Sequence, residues 1–247
     1  MDQRNSWLSF SHNSIDVRHQ DLQEIKNRKS KAIAGMKNVL ILILIIVVAT
    51  SCGKTKKQSL PIFGMTEYIE VDGKLDTVYH TIPDYSFVDQ DSVTITPKTF
   101  ENKVYVADFF FGTCPTICPL MKAQLIRVYD RFENNSEFGI LSHTIDPDHD
   151  TVAYLKDYSE RIGIIDNNVW HFVTGNKEEI YELGTAAGYM VPIGEDTSAP
   201  GGYIHSGAFI LVDKERRIRG FYDGTKTNEV DILMNDIDRL LAEYNTK

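Results

Sequence analysis

Apolar and polar positions change rhythm several times along the chain, and each change marks an element. Residues 63–79 alternate around Asp72-Gly73, a two-residue hairpin signal. Short apolar pieces at 85–88 and 93–95 flank the polar 89–92 and predict a second small hairpin. At 104–111 the alternation stops and the chain is apolar almost throughout (VYVADFFF), which suits a buried parallel strand. From Pro119 the period is helical: Met121, Leu125, Val128 and Phe132 form one stripe for a sheet to cover. Residues 138–144 predict a second core strand. Asp150 is the expected N-cap of a helix that turns Val152, Leu155, Tyr158 and Ile162 inward and ends at Gly163.

Residues 169–173 predict a third strand. Asn176 with Glu179 gives a capping-box start for a helix carrying Ile180, Leu183 and Ala187. Residues 192–202 (PIGEDTSAPGG) read as a long turn-rich loop, a length that usually signals function or mobility. A strand at 208–212, a turn at 213–216 and a strand at 218–222 come next. Asn228 then opens a helix with Val230, Leu233, Ile237, Leu240 and Tyr244 on one side. The alternation of strands and helices predicts an α/β fold of thioredoxin-like outline. Its central sheet is mainly parallel, with added N-terminal hairpins and a closing hairpin and helix.

The first 52 residues follow no such pattern. Residues 1–35 are polar, and 39–48 are continuously aliphatic but too short to span a bilayer. Basic residues before this run, and Ala49, Thr50 and Ser51 after it, make a secretory signal. Cys52 follows in the position of a bacterial lipobox cysteine, the lipidated first residue of a mature lipoprotein; the alternative is an uncleaved short anchor with Cys52 a free thiol. Met36 stands where such a signal ordinarily begins, so 1–35 reads as an over-extended gene start or a long leader. The expected organisation is therefore leader and signal at 1–52, tether at 53–60 and one domain at 61–247. In either reading the domain is exported to the cell envelope, facing the periplasm or extracytoplasmic space.

Of the 247 residues, 42% are apolar, enough for a real core. Seven basic and four acidic residues lie in 1–52, which leaves 19 and 31, a net of −12, in 53–247. That balance disfavours nucleic acid and anionic membrane surfaces as partners.

With Cys52 lipidated, two thiols remain, Cys114 and Cys118, too few for a disulfide scaffold in a domain of this size. They stand at the carboxyl end of the 104–111 strand, each followed by proline. A helix starting between them puts one thiol in the loop and the other in the first turn, where the helix dipole favours a thiolate. Such a pair chelates a soft ion or closes a disulfide. Two sulfurs suit Cu(I), and an added imidazole suits Cu(II) as well; zinc wants four ligands. An inert disulfide or two buried thiols is the bland reading. Among the histidines, His143 and His171 sit in apolar strands as core residues, His80 lies in a polar turn and His149 in a charged loop. His205 differs, because it precedes a strand whose entry loop lies beside the cysteine turn in a thioredoxin-like layout.

The segments ADFFFGTCPTICP and IHSGAFILVDKERRIRGFYDG resemble the Sco/SenC family of exported, copper-binding, thioredoxin-fold proteins. TIDPDHDT, WHFVTG and the lipoprotein-like amino terminus add to the likeness, which covers roughly residues 83–245. The resemblance implies copper ligands at Cys114, Cys118 and His205. It also implies delivery of copper to the dinuclear copper site of cytochrome c oxidase, or maintenance of that site's thiols. Thr116 stands where the family often has Asp. Asp108 stands where many members carry an apolar or aromatic residue, and thioredoxins keep a proton-accepting Asp at this spacing. A carboxyl in such a strand should have a raised pKa through desolvation. The alternative function is therefore a thiol–disulfide oxidoreductase of the envelope, with Cys114 attacking, Cys118 resolving and Asp108 accepting the proton. A peroxidase would need an arginine beside the thiolate, and none lies near Cys114 in sequence.

Overall fold

The apolar run at 104 forms the strand on which the other elements assemble. The computed structural model describes residues 59–165 and 168–245, with 26, 29 and 31 besides; Cys52, its signal and the tether through residue 58 lie outside the described residues. Strands β1 (Thr66–Val71) and β2 (Lys74–Tyr79) make the first expected hairpin, β3 (Phe87–Asp89) and β4 (Thr94–Ile95) the second. Then come β5 (Val104–Phe110), α1 (Cys118–Phe132), β6 (Phe138–Thr144), α2 (Val152–Arg161), β7 (Trp170–Thr174) and α3 (Lys177–Gly184). The chain closes with β8 (Ile193–Glu195), β9 (Tyr203–His205), β10 (Ala208–Val212), β11 (Ile218–Asp223) and α4 (Thr227–Asn245).

The main sheet has the order β11-β10-β5-β6-β7-β3-β4. Its parallel part is β5, β6 and β7, joined by the two crossover helices. The added hairpins extend it antiparallel on both sides, so the whole sheet is mixed. β5 and β6 are buried along their full lengths, as a continuous apolar run requires. Met121, Leu125, Val128 and Phe132 of α1 are all buried, each contributing about 1.5–3 kcal/mol by removing apolar surface from water. β1 and β2 instead form a separate ribbon exposed on both faces.

Three local expectations are corrected. The N-cap of α2 is Thr151, whose hydroxyl accepts from the Tyr154 N–H, and not Asp150. Asp150 is fully buried, and its carboxylate accepts from Gly112 N–H (2.8 Å) and the Thr144 hydroxyl (2.5 Å). Ala187 lies beyond the end of α3 and is exposed. Of the loop expected at 192–202, 193–195 are instead strand β8, which pairs with β9 (Ile193 to His205), while 196–202 make the turn-rich connection between them. Its turn passes through Gly201 (φ +81°), where a Cβ would also stand 2.8 Å from the Phe111 ring. Gly163 does end α2, at φ +84°, with its N–H and that of Ile164 bonded back to Glu160 and Ser159.

At the start of β11 the buried Arg219 gathers the incoming chain. Its guanidinium donates to the carbonyls of Leu60 (2.7 Å) and Pro61 (3.0 Å) and pairs with Asp213 and Glu243. Glu243 in turn accepts from Leu60 N–H. Among the described residues no helix is long and apolar enough to cross a membrane.

Candidate metal centre

β5 ends at Phe110, and a tight turn carries the chain to α1. Cys114 lies in that turn, half-buried, with its N–H bonded to Phe111 C=O at 3.1 Å. Cys118 is the first residue of α1 and is buried. His205 arrives from the far side as the last residue of β9. Its Nε2 stands 3.2 Å from Cys118 Sγ and 3.7 Å from Cys114 Sγ. The three donor atoms lie within 4.8 Å of one another, the one such cluster among the described residues. An ion at ~2.3 Å from sulfur and ~2.0 Å from nitrogen in a plane would set S···N near ~3.7 Å and S···S near ~4.0 Å. The donors therefore already stand at about the spacing that a shared ion demands.

Protonation follows from the surroundings. Burial alone would raise Cys114, but hydrogen bonds from the Cys118 thiol and from the N–H groups of Thr116 and Cys118 favour its thiolate and bring it below the ordinary value. Burial, then the neighbouring Cys114, push the Cys118 thiol well up. The pair thus divides into one ready thiolate and one held thiol. His205 Nδ1–H donates to the Ser206 carbonyl (3.2 Å), which leaves the Nε2 lone pair for the sulfurs or a metal. Burial lowers its pKa, so the imidazole is neutral at pH 7.

His205 is held through its hairpin. Lys177, in the first turn of α3, pairs with Glu195 of β8, and its Nζ lies 5.8 Å from the ring centre of Tyr203 in β9. The Tyr203 ring packs on Phe111 at 5.1 Å, and Phe111 meets His205 edge-on at 5.6 Å. The hydrogen bond to the Glu195 carboxylate raises the lysine pKa to about 12. The Glu195 carboxylate is 57% exposed, so the pair adds under about 1 kcal/mol to global stability. Lys177→Met should therefore leave the melting temperature nearly unchanged. It should weaken binding of a soft ion at the three donors by about tenfold, as loss of a supporting contact does. Competitive titration against a chromogenic chelator reads this, and Lys177→Arg should restore it.

Behind Cys118 lies Asp108, registered beside Ser142 of β6. Ser142 Oγ donates to Asp108 Oδ1 (2.5 Å), and Trp170 Nε1–H donates to Ser142 Oγ (2.9 Å). Burial raises the Asp108 pKa to about 7, as expected for its strand. A cavity of about 10 Å³ is lined by Asp108, Cys118, Ser142 and Tyr158 among others, roughly the room for one water.

The remaining histidines in the described residues are elsewhere engaged. His171 bonds Asp89 (2.9 Å) and His143 is buried in an aromatic cluster, both as core residues. His80 bonds the Gly188 carbonyl, and His149 bonds Asp150 rather than water alone. His12 and His19 lie outside the described residues. Sequence reasoning missed Lys177, Ser142 and the role of Asp150. Ser142 was findable, because it is the first of the polar residues in a core strand parallel to that of Asp108.

A family model described as SCO1/SenC matches residues 74–242. The chain belongs to the SCO1/SenC family. A SCO1 protein homolog of Bacillus subtilis is 27% identical over 167 residues, which cover 66% of this chain and 83% of that one. A SCO1/SenC family lipoprotein from Bacillus anthracis has a similar structure, at 26% identity and TM-score 0.59, over 65% of this chain and 95% of that one. BsSco, described as having a disulfide switch and as a member of the Sco family of cytochrome c oxidase assembly proteins, gives 25% and 0.56, over 64% and 92%. The thioredoxin-like fold of this SCO1/SenC chain is thus shared with solved relatives.

Proposed function

We propose that this SCO1/SenC protein is a lipid-anchored envelope metallochaperone. It takes up copper through Cys114, Cys118 and His205 and delivers it to the copper-site subunit of a cytochrome c oxidase, or to another envelope copper or thiol protein. The observation that carries this reading is the convergence of two sulfurs and one imidazole nitrogen from separate elements within 4.8 Å. Two soft thiolates suit Cu(I), and the neutral imidazole extends the set to Cu(II). Zinc is disfavoured, since among the described residues no fourth Cys, His or carboxylate completes the cluster. Cys114 is the entry ligand, already a thiolate and partly open to solvent. Cys118 gives up its proton as the ion arrives, and His205 closes the set. On docking, an acceptor's ligands replace these donors one at a time through the open side. Cys52 supplies the anchor, 53–60 the tether and 61–247 the copper-binding domain.

Anaerobic copper titration of the domain from residue 59 tests this. Tight binding of one equivalent is expected, with His205→Ala weakening Cu(II) more than Cu(I). Failure of the reduced protein to bind either ion would sink the reading.

A second reading rests on the divided thiols and on Asp108. The Cys114 thiolate would attack a substrate disulfide and expel one substrate thiol. Cys118, losing its proton to Asp108, would then attack the Cys114 sulfur and release the second. The protein would end as the Cys114–Cys118 disulfide, to be reduced again by an external dithiol. In that case His205→Ala leaves turnover of a mixed disulfide intact and Cys114→Ser abolishes it.

A further inference from the structure

Beside the metal centre runs an open groove of about 470 Å³ that the ligands do not use. One wall is Ile117, the residue before Cys118; the other begins at Ser206, the residue after His205. Its floor is Ala208 and Phe221, and Thr225 closes it. The groove runs over the start of β10 and the end of β11, the outer strand of the main sheet. Beyond one bridge from Phe63 to Ile218, that edge has no strand neighbour among the described residues. An open edge offers unpaired N–H and C=O groups to an extended segment of another chain.

The charge pattern says what kind of segment fits. Residues 109–121 and 197–212, which frame the three donors, contain no Asp, Glu, Lys or Arg, although 53–247 carries 50 such residues. The groove's one carboxylate, Asp223, is engaged by Lys226 (2.8 Å) and the Thr225 hydroxyl (2.5 Å). An acidic domain has therefore kept a neutral, partly apolar lip around its metal donors.

We infer that this groove is the docking cleft for the protein that exchanges copper with this chain, and that it receives an extended, uncharged segment of that partner along β11. The inference rests on the delivery reading above: whatever covers a lip bordering both Cys118 and His205 is in position to reach the ion. Binding through a neutral lip depends little on ionic strength, unlike association steered by opposite charges.

The test is copper transfer from the loaded domain to the metal-stripped copper-site domain of the organism's own oxidase, followed spectroscopically. Thr225→Trp fills the groove without touching a ligand, and Thr225→Ser keeps it open with the hydroxyl on Asp223. Thr225→Trp should bind copper as wild type does but transfer it at least about tenfold more slowly, with Thr225→Ser unaffected. The wild-type rate should change less than about threefold between about 20 and 500 mM salt. Transfer by Thr225→Trp at the wild-type rate, or a tenfold or greater salt effect (about 1.4 kcal/mol), would overturn the docking cleft and leave delivery standing. A concentration-dependent dimer abolished by Thr225→Trp would assign the groove to a second copy and overturn it as well. No transfer from wild type at any salt would overturn delivery to the oxidase, and with it the cleft as the oxidase's docking site.

Discussion

Cys118→Ser is expected to weaken Cu(I) binding by about 10³-fold or more, a loss of about 4 kcal/mol or greater. Cys114→Ser should do the same. The site has three donors and no spare within reach among the described residues, so removing one sulfur leaves a single thiolate and an imidazole. A serine hydroxyl is hard, stays protonated at neutral pH, and does not replace a soft anionic ligand. The two variants should nevertheless differ in their remaining thiol. Cys114 in Cys118→Ser keeps the N–H groups of Thr116 and Cys118's position, whereas Cys118 in Cys114→Ser remains buried and protonated. Competition against a Cu(I) chelator under anaerobic conditions measures both losses. A loss of tenfold or less in either would mean that the sulfurs are not jointly ligands.

The second large effect concerns stability and its dependence on pH. Asp108 titrates at about 7 in the folded chain against 3.8 in the reference state, because burial disfavours its charge. The sign follows directly. Below pH 4 the carboxyl is neutral in both states and contributes nothing. Between about 4 and 7 the unfolded chain releases the proton while the folded chain retains it, so stability falls as pH rises. Above 7 the penalty is complete, at most about 4 kcal/mol at 1.36 kcal/mol for each unit. Asp108→Asn keeps an acceptor for Ser142 and removes the charge. It should match wild type near pH 4 and exceed it by a few kcal/mol at pH 8 in urea unfolding. An equal difference at both pH values would show that the carboxyl is already ionised in the folded protein at acidic pH.

Much of the fold was legible because its signals are local and long. The uninterrupted apolar run at 104–111 left little choice but a buried strand, and the four residues from Met121 to Phe132 left little choice but an amphipathic helix. The cysteine pair stood out through its flanking prolines, and His205 through the order of the elements around it. What escaped was carried by short elements and by contacts distant in sequence. β8 and β9 have three residues each, too few to display an alternation, and Gly194 and Gly201-Gly202 made the segment look like a plain loop. Asp150 and Thr151 are both good caps on paper. The choice between them fell to Gly112, far back along the chain, and to Thr144 in the preceding strand, which together claim the aspartate. Lys177 gave no signal at all, since its partner Glu195 lies in the hairpin that was not foreseen.

The grip of Arg219 on Leu60 and Pro61 has a mechanical meaning. Ile218 is level with Val212 and Tyr105, at the opposite end of β5 from the turn that holds Cys114. The seven residues of β5 separate those ends by about 20 Å. A pull on the incoming chain is therefore taken up by the guanidinium, Asp213 and Glu243, and is spent before it reaches the donor atoms. Tension entering at Leu60 leaves the geometry of two sulfurs and one nitrogen undisturbed.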